Sequence, residues 1–583
     1  MRALTLLVVP IALPLASCAT APSTSNADER FKAHAARVLD EMWAEFPDFG
    51  VQRGNYKYAD RMNVPDQARR DRTKAFYQRQ LAALGQFEPA SLAASQRVEL
   101  AMLKGRFERS LWELETFRSW QWQPSTYNVA NGIDLLVTTE YAPPDTRLRH
   151  VMARLERIPA YYAAARANIA DPTLEHTQLA ILQNRGALTV LGPELMKRVD
   201  GSGLSGAEKS LFAQRLQAAR EAIGEYISYC GVLEAKLASG RARSFRIGKE
   251  LYEQKFHHDI QSGFTAAELY ARAVAEKAAL HDSMEKLARQ VWRRYMGNAP
   301  MPSDRLVLIR NVMDELSKRH VARDDFVPAV RRQIAELETF VRTKDLLDQD
   351  PTRPLIVRET PQYLRGIAGA SISAPGPLNP TANTYYNVTP LDHMGADEAE
   401  SFLREYNDWT LQILNIHEAI PGHYTQLMHA NKSPSLVKAV FANGSMIEGW
   451  AVFGEKVMLD AGYGGGTPEM WLSWMKWNLR TVMNTILDYE IQTRGLEREA
   501  AMRYMTREAF QQQTEASEKW RRATLTQVQL TSYFNGYAEI RALRDEMRAK
   551  QGRAFSVKAF NNRFLSYGNA PVRLIRELMV SAP

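Results

Sequence analysis

Apolar residues recur at three- and four-residue spacing through most of the chain, and that periodicity points to a mainly α-helical fold. In "ADERFKAHAARVLDEMWAEF" the side chains of Phe31, Ala35, Val38, Leu39 and Met42 share one stripe. Similar stripes run through "QARRDRTKAFYQRQLAAL", "AEKSLFAQRLQAAREAIGEYISYC" and "AAELYARAVAEKAALHDSMEKLARQVWRRY". Strand-like alternation is scarce. Near residue 351 the texture changes to a stretch rich in Pro, Gly, Asn and Thr, in which "TYYNVTP" (Thr384 to Pro390) reads as an extended strand of a small sheet. We expect a helical N-terminal part over 29–350 and a part carrying the chemistry over 351–583. One decoy, "GSGLSG", satisfies the G-x-G-x-x-G pattern. It leads into Ser205 and Glu208 at capping-box spacing, so a turn between helices is expected there.

The first residues have a different character. An apolar run from Ala3 to Leu15 ends in "LASC", which reads as a signal peptide over 1–17 with Cys18 as the lipidated first residue of the mature chain. Residues 18–28 read as a flexible tether. Ala19 after the cysteine, by resemblance to bacterial lipoproteins, implies the outer membrane, facing the periplasm or the cell surface. The only other cysteine is Cys230, so no intramolecular disulfide is expected in the mature chain. The formal charge is +8, but bases and acids are interleaved as on solvated helix faces, so no nucleic-acid partner is expected.

The chemistry centres on "LQILNIHEAIPGHYTQL". From Ala396 the stripe Phe402, Tyr406, Trp409, Ile413, Ile416 reads as one helix running into His417 and Glu418. Histidines four apart lie about 40° apart around a helix and can reach one metal; six apart, they lie about 240° apart and cannot. Pro421 and Gly422 are the residues able to break the helix and turn His423 back toward His417. The alternative is a helix ending at a turn beside two unrelated histidines. A zinc site needs a third protein ligand, and "NGSMIEGWAVFGEKVML" offers Glu448 near the start of another helix. Glu455, seven residues on, shares its face and is expected at the surface. His429 is expected on a helix surface.

"HEAIPGH" followed by "EGWAVFGE" resembles the bacterial family catalogued as domain of unknown function eight-eight-five, which is grouped by similarity with gluzincin zinc peptidases. "EFPDFGVQRGNYKYADRM", "TYYNVTP", "RRATLTQVQLTSYFNG" and "FNNRFLSYGNAPVRLIREL" extend the resemblance in order along most of the mature chain. "Gln527-Val528-Gln529" stands where that pattern carries Pro-Gly-Gln. The resemblance implies a large multi-helical, zincin-like body. It implies that His417, His423 and Glu448 hold Zn2+, that Glu418 activates water, and that Tyr533 stabilises the oxyanion, with Tyr537 in reserve. Tyr386, Asn387, Arg522 and Gln529 are the expected substrate-binding residues, with an ion pair to Asp488 as another role for Arg522. The function so implied is zinc-dependent hydrolysis of short peptides; the rival is an inactive peptide- or ligand-binding lipoprotein on the same fold. No G-x-S-x-G nucleophile elbow is present. The oligomeric state is not readable from the chain.

Overall fold

The computed structural model describes residues 24–240, 242–350, 352–360, 370–374, 376–378 and 383–580. Cys18 and the signal segment lie outside them. Helix α1 (Thr24–Glu45) buries the stripe of Phe31, Ala35, Val38, Leu39 and Met42. It begins inside the segment expected to be a tether. Ala27 packs against the core and the Asp28 carboxylate accepts from the Ala93 amide at 2.9 Å, which docks that stretch.

Helices α2 (Gln67–Leu84) and α3 (Ala94–Trp112) pack on each other. Helix α4 (Gly206–Ser239) starts at a complete capping box, in which Ser205 Oγ accepts from the Glu208 amide and the Glu208 carboxylate accepts from the Ser205 amide. A helix, Pro193–Asp200, precedes it, so "GSGLSG" is a turn and a cap worth ~1 kcal/mol. Helix α5 (Ala266–Met296) opens with the same device at Thr265 and Glu268.

Buried apolar side chains form two clusters. One, from Val51 to Cys230, fills the helices around α4, and the Cys230 thiol is buried in it. The other joins α1 to α3, α5 and the chain from Leu355 to Met579. The larger core therefore crosses residue 350 without interruption.

The small sheet contains β1 (Ile356–Glu359), β2 (Ala370–Ser373) and β3 (Tyr385–Val388) in the order β1-β3-β2. Strand β3 pairs parallel with β1 and antiparallel with β2, so Tyr386 stands opposite Val357 and Ile372. The strand read from "TYYNVTP" is thus the central one. Among the described residues the edge nearest the motif belongs to β2.

The single helix expected from Ala396 is two, α6 (Ala396–Glu405) and α7 (Thr410–Glu418). Asn407 causes the break: its Oδ1 accepts from the amides of Trp409 at 3.1 Å and Thr410 at 3.2 Å, capping the start of α7. The stripe continues across the break because both helices face one core. Next come α8 (His423–Ala430), α9 (Gly444–Asp460), α10 (Pro468–Arg494), α11 (Gln513–Leu525) and α12 (Ser532–Gln551). Helices α9 and α12 cross backbone to backbone at Gly449 and Gly536. A Cβ on Gly449 would stand 2.3 Å from Gly536 Cα, and one on Gly536 would stand 1.8 Å from the Ser445 carbonyl.

Candidate metal centre

The break between the histidines is built by three residues. Helix α7 stops at Glu418, Ala419 leaves helical geometry (φ −114°, ψ −86°), and the Ile420–Pro421 peptide is cis. The Trp450 indole donates to the Pro421 carbonyl at 2.8 Å and pins the turn against α9. Gly422 then donates its amide to the Ile416 carbonyl at 3.0 Å. A Cβ there would lie 1.8 Å from the His417 carbonyl oxygen. Its φ of −71° is ordinary, so glycine is needed for close approach and not for a left-handed angle, and α8 restarts one residue later at His423. The two imidazoles end with ring centroids 4.8 Å apart and planes at 88°.

Helix α9 brings two carboxylates to this pair. Glu448 Oε2 lies 3.4 Å from His423 Nε2 and 3.8 Å from His417 Nε2. Donor atoms bound tetrahedrally to zinc at about 2.0–2.1 Å stand about 3.3 Å from one another, so the spacing fits a shared ion. Metal-ligating atoms of His417, Glu418 and His423 also lie within 4.8 Å of one another. Glu455, one face-repeat further along α9, is 0% exposed, not at the surface as expected. Its Oε1 accepts from His417 Nδ1 at 2.7 Å and from the Trp477 indole at 3.1 Å, and its Oε2 from the Trp474 indole at 3.0 Å. The Glu455 carboxylate takes the Nδ1 proton, so Nε2 is the nitrogen turned toward His423 and Glu448 and the one a metal ion would bind in place of a proton.

The electrostatics are those of carboxylates gathered around imidazoles. Burial opposes a charge on His417, but Glu448 and Glu455 hold its pKa well above the usual imidazole range. Burial pushes Glu448 up, and the two imidazoles outweigh it and hold the carboxyl well below the usual carboxylate range. For Glu455 burial dominates and raises the pKa. Glu448 and Glu455 converge on His417, and a protonated imidazole or a metal ion balances their charge. His417, His423 and Glu448, with Glu418 beside them, could hold a metal ion, and two imidazoles with a carboxylate are a donor set that zinc accepts.

A cavity of about 330 Å³ opens on this cluster, lined by His417, Glu418, Tyr533, Arg522, Lys519 and Ala370 of β2 among others. The exposed Arg522 donates to Gln529 Oε1 at 2.7 Å and to the Tyr533 hydroxyl at 3.2 Å. Among the described residues Arg522 makes no ion pair with Asp488, which accepts from the Tyr252 hydroxyl at 2.9 Å. Val528, just before Gln529, sits at φ +72°, where a β-branched residue is strained and glycine is not. A second cavity of about 340 Å³ reaches the cluster at Glu448 and is lined also by Gln529 and Ser532.

The family described as "Bacterial protein of unknown function (DUF885)" matches residues 47–579. The chain belongs to DUF885. Among solved structures, a Shewanella oneidensis protein described as "a putative lipoprotein of unknown function" is 51% identical over 94% of this chain and 100% of that one, with a TM-score of 0.88. A Colwellia psychrerythraea protein, described as a "putative lipoprotein", is 14% identical over 94% of this chain and 98% of its own, with a TM-score of 0.77; that likeness shows the fold alone. No curated protein matches the chain.

Three expected site residues of this DUF885 chain lie apart from the cavities. Tyr386 is wholly buried and donates to Asn415 Oδ1 at 2.8 Å. Asn387 is equally buried, accepting from Arg358 at 2.7 Å and donating to Ser373 at 2.7 Å. Being central in the sheet, β3 spends these side chains on its neighbours and not on a ligand. Tyr537 is buried beneath Arg541, and burial pushes its pKa to about 12. His429 donates from Nε2 to the Asp348 carbonyl at 3.1 Å and is not part of the cluster. The partner of His417 was the residue that sequence reasoning missed. Its signal was there in the seven-residue spacing of Glu448 and Glu455 on an apolar helix.

Proposed function

We propose that this chain is a zinc-dependent peptidase acting on short peptides, on a zincin-like body, carried by an exported lipoprotein anchored through Cys18 at the outer membrane. The observation that carries the catalytic reading is His417 held at Nδ1 by Glu455 while its Nε2 faces Glu448 and His423. The membrane reading is supported by the description of the Shewanella oneidensis protein as a lipoprotein. No described helix is long and apolar enough to cross a membrane.

Zinc, when bound, supplies Lewis-acid polarisation of the scissile carbonyl and a water of lowered pKa. Glu418 takes the proton from the attacking water and delivers it to the leaving amine. The Tyr533 hydroxyl faces the same cavity and donates to the oxygen that gains charge, with Arg522 fixing its position. The test is metal analysis of purified protein together with digestion of a peptide library. About one zinc per chain is expected. Chelator-sensitive cleavage should disappear in Glu418→Gln while the metal stays bound. Metal-free protein without such cleavage would overturn the reading and leave an inactive binding protein.

A further inference from the structure

The cavity on the Glu448 side contains charge that the proposed chemistry does not use. Its wall includes Phe49, Arg53, Arg106, Arg109, Asp259 and Glu448. Arg109 is paired with Asp259, which also takes Lys255 Nζ at 2.8 Å. Glu448 is engaged with two imidazoles. Arg53 and Arg106 remain, and among the described residues neither guanidinium has an ion pair or a hydrogen bond; Arg53 Nε is buried without a partner.

Their positions are nonetheless defined. Both guanidinium carbons lie over the ring of Phe49, at 5.5 Å and 5.6 Å. Phe49 also lies near-parallel to Trp43 (5.6 Å, 20°) and to Phe441 (6.0 Å, 13°), so the ring that carries the two cations is itself packed in place. Burial holds both arginines below their ordinary pKa, and for Arg106 the neighbouring Arg109 and Arg53 add to it. Asp259, already paired with Arg109 and Lys255, is the acid that offsets Arg106, so two like charges partly removed from water and without an ion pair of their own are unfavourable until a further anion joins them. Forked guanidinium donors match a carboxylate in geometry and charge.

We infer that Arg53 and Arg106 form a clamp for the free C-terminal carboxylate of the peptide substrate, placed in the cavity that shares Glu448 with the metal centre. The inference rests on the peptidase reading. The C-terminal carboxylate is the one anion that every unmodified linear peptide carries. A cavity of about 340 Å³ lies at the lower end of ligand-pocket volumes, so it has room for only a short C-terminal piece of peptide. The chain would thus remove short pieces from the carboxyl end.

The experiment uses the mature chain carrying Glu418→Gln, which leaves the peptide uncut, and calorimetry with one tripeptide as free acid and as C-terminal amide. The acid should bind roughly tenfold to a hundredfold tighter. Arg53→Met and Arg106→Met should each erase most of that preference, while Arg53→Lys should keep part of it. Equal binding of acid and amide by the Glu418→Gln chain would overturn the clamp, and so would a preference that survives both methionine variants. If either methionine variant fails to fold, the comparison of acid with amide and the Arg53→Lys result still decide. Zinc content is measured on the same samples. A lack of zinc with the acid preference intact would sink the peptidase reading alone, and bound zinc without the preference would sink only the clamp.

Discussion

Glu455 Oε1 stands 2.7 Å from His417 Nδ1, and the same carboxylate takes indole N–H groups from Trp474 and Trp477. With every bond accounted for, the imidazole can neither rotate nor change tautomer freely. Replacing Glu455 by Gln keeps the shape but ends the charged acceptance. We expect zinc affinity to fall by about 10- to 100-fold, with helix content unchanged, measured by competition with a metal-sensitive dye.

Gly422 is where backbone meets backbone inside the motif. In Gly422→Ala the new methyl has no room beside the His417 carbonyl, so the turn must open. Urea unfolding should show a loss of roughly 3 kcal/mol or more, with metal binding lost as well. Gly444→Ala is the control, since nothing lies within 4 Å of the added carbon; its effect should stay within about 1 kcal/mol.

Tyr533→Phe removes the donor that faces the cavity and leaves the ring. On a peptide that the parent chain cuts, kcat should drop by roughly 10² to 10³ while zinc content holds. Arg522→Met should lower kcat less, because Arg522 touches the hydroxyl and acts through it. A variant at Tyr533 with unchanged kcat would remove this residue from the chemistry.

Stability should depend on pH through two buried acids far from the histidines in sequence. Burial raises Asp488 to about 7 from 3.8, and Glu539 to about 7 from 4.5. The folded chain then holds protons that the unfolded chain has released, so their contribution is full below about pH 4 and is lost as pH rises toward 7. Asp488→Asn should flatten that part of the profile in thermal melts taken from pH 4 to 8. A profile identical to the parent's would refute the assignment.

Much of this was legible in the chain. The helical stripes, the Ser205 capping box and the interruption between Glu418 and His423 follow from local spacing and from what proline and glycine permit. What was not legible depended on partners distant in sequence. Glu455 reads as a surface acid until α10 supplies two indoles, and Tyr386 reads as a free side chain until the sheet order puts β3 in the middle. The split between α6 and α7 was hidden because Asn407 interrupts the backbone without disturbing the apolar stripe. The resemblance carries Pro-Gly-Gln where the chain has "Gln527-Val528-Gln529", and the positive φ at Val528 gives that glycine a physical reason.

The contact of Gly449 with Gly536 has a mechanical consequence. Glu448 precedes one of these glycines on α9, and Tyr533 lies one turn before the other on α12. Because the backbones touch, neither helix can slide or roll without carrying the other. The Glu448 carboxylate and the Tyr533 hydroxyl, the two groups assigned to the proposed reaction from these helices, are therefore set by a single joint, and any motion that admits a ligand must come from the elements around this cross, not from within it.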